Sequence, residues 1–221
     1  MRQLNWLSAF LLSAFLLWLA LACGAVAQTD QPNRRVPAVQ AGTAAPQQQA
    51  ANKDASSLDA EREKQALRIL FKIVEKVIVS AADAMPADKY EFAPTDGEFK
   101  GVRTFGQQVK HLAATNHILA AAALGQEPPA DAGDETGPEA VRTKAEILAY
   151  LNASFAHLDK AIDAIGEQNP AVRSSPISPL KSSEATRLAL VVESLVHAFD
   201  HYGQMVEYLR MNGVVPPASR P

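Results

Sequence analysis

Apolar residues recur along this chain at spacings of three and four, the period of a helix with one buried face, and no segment alternates in the manner of a strand. Leu67, Leu70, Phe71, Val74, Val77, Ile78, Ala81 and Met85 predict a first helix from Leu58 to Ala84, stopping before Pro86. A loop carrying Pro94 and the turn pair Asp96-Gly97 follows as far as Arg103. Thr104, with Gln107 three residues on, has the spacing of a capping box, and Phe105, Val109, Leu112, Asn116 and Leu119 line one stripe behind it. This second helix is expected to end near Leu124-Gly125.

The stretch from Gln126 to Pro138 is rich in Pro, Gly and acid and predicts a long crossover loop. Thr143 and Glu146 repeat the cap spacing before Ile147, Leu151, Phe155, Leu158, Ile162 and Ile165, a third helix expected to stop at Gly166. The fourth has Leu188, Val192, Leu195, Phe199, Tyr202, Val206 and Leu209 as its expected seam, ended by Gly213 and Pro216-Pro217. Four amphipathic helices without strands bury their stripes best against one another, so the expected fold is an all-α four-helix bundle over residues 58–221.

The ends of the chain alter this picture. Arg2 precedes an uncharged run from Trp6 to Ala22 and small residues ending Ala25-Val26-Ala27, the pattern of a signal peptide over residues 1–27 cleaved before Gln28. A retained anchor is the competing reading, because about 17 apolar residues reach across a thin bilayer. Ala20-Leu21-Ala22-Cys23 loosely resembles a lipoprotein signal, but Ala20 fits that pattern poorly, which favours cleavage after Ala27 and a periplasmic or secreted protein. Residues 28–57 are Gln, Ala and Pro-rich, and they predict a disordered linker with too little apolar surface to offset its ordering.

Composition narrows the chemistry. Lys and Arg total 21 against 24 Asp and Glu, so no basic field recruits nucleic acid or anionic lipid. Cys23 is the only cysteine; a chain cleaved before Gln28 has no thiolate ligand, cysteine nucleophile or disulfide. Histidine therefore carries the candidate metal chemistry.

Five histidines are present. His197 and His201 are four apart, about 40° on one helical face, which suits two ligands on one ion. On the helical wheel they lie roughly opposite the Leu188, Leu195, Phe199 and Val206 seam, flanked by Leu190, Met205 and Tyr208, and are expected at the border of a groove. His111, beside Thr115 and Ile118, also flanks a seam and is the candidate third ligand. His117 is expected to be solvated and His157 to have no site role.

Three imidazoles leave a coordination position open for water or substrate. The residues between His197 and His201 lack the glutamate of a zincin, which removes the best support for a protease. Asp200 and Glu193 are candidate hydrogen-bond partners of the ligands, with solvation the favoured role.

The run from His197 through Gly203-Gln204-Met205 to Tyr208-Leu209-Arg210-Met211-Asn212-Gly213-Val214-Val215-Pro216-Pro217 resembles the last helix and exit of the DinB-like superfamily of metal-dependent bundle proteins. Gly101-Val102-Arg103-Thr104-Phe105-Gly106-Gln107-Gln108-Val109-Lys110-His111 is similar to the segment bearing that family's first metal histidine. The resemblance implies a divalent ion (nickel, zinc, iron or manganese) on His111, His197 and His201, often in a homodimer. The resemblance does not settle the reaction, although the family includes thiol-dependent transferases; with an open coordination position the expectation is an enzyme of hydrolase or thiol-dependent transferase type acting on a small molecule. A non-catalytic metal-binding or stress-related periplasmic module is the alternative. The export signal departs from the family's cytoplasmic pattern and weakens the expectation of a low-molecular-weight thiol cosubstrate.

Overall fold

The structure, a computed structural model, describes residues 44–132, 134–166 and 168–221. The expected signal peptide and the first part of the expected linker lie outside the described residues. Four helices account for most of the rest: α1 (Ala44–Ala84), α2 (Phe105–Leu124), α3 (Lys144–Asp163) and α4 (Arg187–Met211). Among the described residues there is no strand, only an isolated bridge between Ala171 and Thr186. The fold is the expected all-α bundle. No helix among the described residues is long and apolar enough to cross a membrane.

Both predicted capping boxes form. The Thr104 hydroxyl accepts the Gln107 amide N–H at 3.3 Å while the Gln107 side chain accepts the Thr104 N–H at 2.9 Å. Thr143 and Glu146 repeat the exchange at 3.3 and 2.9 Å. Each supplies partners to amides that a helix start otherwise leaves without one. Gly125 ends α2 in the left-handed conformation, φ 71°, where an L side chain is disfavoured.

Two boundaries differ from expectation. Helix α1 begins at Ala44, not Leu58, because the segment read as linker is rich in Ala and Gln, which are good helix formers, and its Pro46 falls in the first turn where proline is tolerated. Helix α3 ends at Asp163, with Ala164 as its cap, before the glycine expected to stop it.

Side-chain pairings fix the helix directions. Arg68 near the middle of α1 bonds Asp159 and Asp163 at the end of α3, while Lys144 at the start of α3 reaches Asp83 at the end of α1, so these two run antiparallel. Asn116 meets Ser154 and His117 meets His157, so α2 and α3 run parallel. Arg103 meets Tyr208 and Gln108 meets His201, so α2 and α4 are antiparallel. Two consecutive parallel helices need a connection that returns along the bundle, about 30 Å for a 20-residue helix. This is why the Pro- and Gly-rich stretch between α2 and α3 is long.

Helix α2 is buried on nearly all sides, with Phe105, Leu112, Ala113, Ala114, Ala120 and Ala121 inaccessible to solvent. Its alanines let α3 and α4 approach closely, and Phe71, Ile78, Phe155, Leu158 and Leu190 fill the space between the helices. Each such side chain contributes about 1.5 to 3 kcal/mol by leaving water.

The buried face of α4 is rotated from the expected seam. It comprises Leu190, Val191, Ser194, Leu195, Ala198, His201, Met205, Tyr208 and Leu209; of the expected seam Leu195 and Leu209 are buried, while Val192 and Phe199, like Val196, are exposed. This helix carries two apolar arcs, and periodicity alone does not say which one faces the core. The polar His201 belongs to the buried arc because its partner Gln108 comes from α2, and Ser194 is buried there with no hydrogen-bond partner for its hydroxyl. The histidine pair thus lies on the core side of α4, not at the margin of its apolar seam.

Candidate metal centre

Helices α2 and α4 bring His111, His197 and His201 together, one ligand atom from each lying within 4.8 Å of the others. His111 and His201 are buried and His197 is half-buried. Ring centroids stand 4.8 Å apart for His111 and His201, 5.2 Å for His111 and His197, and 4.3 Å for His197 and His201. The four-residue spacing on α4 places the Nε2 atoms of His197 and His201 2.9 Å apart.

Each ring is oriented by a different device. His111 Nδ1 donates to the Glu135 carbonyl at 2.9 Å, leaving Nε2 to face α4. Glu135 adopts φ 76°, a left-handed conformation unusual for a residue other than glycine and costing of order 1 to 3 kcal/mol. The crossover loop therefore holds this carbonyl over the histidine against local strain. His201 Nδ1 lies 2.6 Å from the Gln108 amide nitrogen, which also donates to Gln204 Oε1 at 2.6 Å, and Gln204 in turn donates to Asp200 at 2.8 Å. His197 Nδ1 is buried without a hydrogen-bond partner.

Electrostatics favours neutral rings. Burial lowers the pKa of all three; it is the largest cause in each, and mutual repulsion and the Arg103 charge act in the same direction on His197 and His201. His197 is held at about 4 and His201 at about 3. For His111, hydrogen bonding to the Glu135 carbonyl partly opposes burial. At neutral pH the site therefore presents nitrogen lone pairs, the state a cation requires. Three neutral imidazoles, two of them with nitrogens at a separation matching two ligands on one ion, fit a borderline divalent metal.

The centre lies between two cavities. One, of about 600 Å³, is walled by Leu119, Leu180, Val192 and Val196, with Thr115, Glu135, Glu193 and His197 as its polar groups. Glu193 accepts the Ser178 hydroxyl at 2.7 Å, and burial lifts its carboxyl above the ordinary range against that bond. The other cavity, of about 650 Å³, is bounded by Arg103, Gln108, Gln204 and Tyr208.

The remaining candidates fall differently. Asp200 is exposed but reaches His201 through Gln204 and Gln108; Glu193 contacts Ser178 and lines the apolar cavity. His117 is not solvated as expected: it is half-buried and meets His157 across the α2–α3 interface at 3.1 Å, because α2 is enclosed on nearly every side. Sequence reasoning missed Gln108 and Glu135. Gln108 had a signal, a polar residue three before His111 on the same stripe, whereas a loop carbonyl leaves none.

Comparison with curated proteins gives no match. The family comparison does, over most of the bundle including all three site histidines: the chain belongs to the DinB superfamily, whose family model matches residues 70–205.

Proposed function

We propose that the protein is an exported metal-dependent enzyme whose divalent ion is held by His111, His197 and His201. The observation that carries this reading is that His197 belongs both to the three-imidazole cluster and to the wall of the 600 Å³ apolar cavity. An ion with an open position there would supply a Lewis acid and a bound hydroxide or thiolate at neutral pH.

The protein's own groups have distinct tasks. For His201 to offer its Nε2 lone pair, its ring proton must sit on Nδ1, so the Gln108 amide must turn its oxygen toward that ring. Glu193, one turn before His197, holds a proton at higher pH than an ordinary carboxyl and is the acid–base candidate. Leu119, Leu180, Val192 and Val196 line that cavity and select an uncharged, apolar portion of a small-molecule substrate. Nickel, zinc, iron and manganese all suit the donor set. Water-dependent hydrolysis and thiol-dependent transfer remain the two reaction types, and export favours the former.

A second reading makes the metal a non-catalytic clamp, favoured by the ligands' origin on two separate helices. Chain starting at Gln28 is freed of metal, reloaded with each of the four ions, and assayed against apolar esters and against thiols paired with an electrophile. One tightly bound ion per chain is expected, lost in His201→Ala. Turnover that falls in Glu193→Gln with the ion retained supports the enzyme. Loss of melting temperature in His201→Ala without turnover in any loaded form supports the clamp, and absence of stoichiometric metal overturns both. Cleavage after Ala27 is checked by N-terminal sequencing of periplasmic protein. Exposed Ile69, Leu70 and Ile73 on α1 and Phe199 on α4 support a homodimer, which sedimentation equilibrium tests.

A further inference from the structure

Outside the three-histidine centre, α2 and α3 bring a second pair of imidazoles face to face. His117 Nδ1 and His157 Nδ1 stand 3.1 Å apart with ring centroids at 5.4 Å. Two imidazole nitrogens on one ion at about 2.0 to 2.1 Å are separated by about 2.9 Å at a right angle and about 3.3 Å at the tetrahedral angle. The observed spacing falls between these values, close to the 2.9 Å between His197 Nε2 and His201 Nε2.

Other polar groups lie beside the pair. Tyr150 packs on His117 with centroids 5.0 Å apart, and its hydroxyl is buried without a hydrogen-bond partner. Asp131, exposed on the 3-10 turn Ala130–Ala132, is near enough for its charge to act on both His117 and Tyr150. Burial keeps His117 and His157 neutral at physiological pH, His117 at about 4, so their lone pairs are available. Without an ion, one ring must protonate at Nδ1 to donate to the other, and the Tyr150 hydroxyl still lacks a partner.

We propose that His117 and His157 form a second divalent-cation site, for a borderline ion such as zinc. The two Nδ1 atoms are its protein ligands, water fills the remaining positions, the Tyr150 hydroxyl bonds to that water and Asp131 supplies neighbouring negative charge. Two protein ligands make this the weaker of the two sites, and its helices differ from those of the first in that α3 replaces α4. An ion here ties the parallel α2–α3 pair together beneath the crossover loop.

The test is isothermal titration of zinc into metal-free chain starting at Gln28, at pH 7.5. The wild type should take up two equivalents, one tight and one weaker. His157→Gln should lose only the weaker one, and His201→Ala only the tighter one, which separates this site from the proposed enzyme centre. A single equivalent in the wild type, or two retained in His157→Gln, overturns the proposal. Should His157→Gln lose helical ellipticity, the wild type decides by histidine carbethoxylation and mass spectrometry. Zinc beyond one equivalent protects His117 and His157 if the site exists, and leaves their modification unchanged if it does not.

Discussion

Gly137→Ala probes whether the crossover loop positions the metal site. Gly137 has φ +74°, and a Cβ built there lies 2.9 Å from Lys110 Cγ, 3.3 Å from Tyr150 Cε1 and 3.4 Å from the Lys110 carbonyl. Lys110 cannot readily retreat, since its ammonium is held by the carbonyls of Pro138 at 3.2 Å and Val141 at 3.5 Å. The left-handed conformation costs alanine about 1 to 2 kcal/mol and overpacking about 1 to 3, for a loss of about 3 kcal/mol. In a domain of this size that corresponds to a fall of roughly 6 to 12 °C in Tm. Glu135 lies two residues away, so displacing the loop also moves the carbonyl that orients His111. Metal affinity should fall about 10- to 100-fold, the usual effect of disturbing a ligand's hydrogen-bond partner. Gly203→Ala is the control: nothing lies within 4 Å of its Cβ position in the middle of α4, and the helix should gain about 0.5 to 1 kcal/mol. Thermal melts with and without metal, and competition titration against a chelator, measure both quantities. A Gly137→Ala protein with unchanged Tm and unchanged metal affinity refutes the argument that this loop is a positioning strap.

Gln108→Leu removes the side chain bonded to His201 Nδ1 and should weaken metal binding about 10- to 100-fold while leaving the helical ellipticity intact; unchanged affinity contradicts the orienting role. The metal-free protein should lose stability in acid. His117, His197 and His201 have folded-state values of about 4, 4 and 3, against about 6.5 for an unfolded histidine. The unfolded chain therefore binds more protons between these limits, and stability present above about pH 6.5 is lost as pH falls toward 4. Urea midpoints with chelator at pH 7.5 and 5.0 check the sign, and a higher midpoint at 5.0 refutes it.

Much of the fold was legible because local rules were obeyed. Thr104, Gln107, Thr143 and Glu146 stand at capping spacing, Gly125 stops a helix in the conformation glycine favours, and apolar periodicity marks the four helices. That His111, His197 and His201 come together was legible in part from spacing and in part from resemblance. What failed was orientation. Helix α4 has apolar residues on two arcs: of the expected seam Leu195 and Leu209 are buried but Val192 and Phe199 are exposed, the core taking the side of Leu190 and Met205. His117 was placed in solvent because its neighbours in sequence say nothing of α3 closing over it. The carbonyl of Glu135 leaves no trace in residue type, since every residue has one. Such features arise from tertiary packing, which periodicity along one helix does not encode.

The antiparallel meeting of α2 and α4 also governs when a cation can be captured. His111 is in the second helix and its partners in the last, and the Gln108–His201 contact that braces them joins residues 93 apart in the chain. A chain emerging from the ribosome thus offers no three-imidazole centre until its final helix has docked. Under the proposed function an ion binds only once the last helix is in place, so supply where folding finishes adds a selection by place that the donor atoms themselves do not provide.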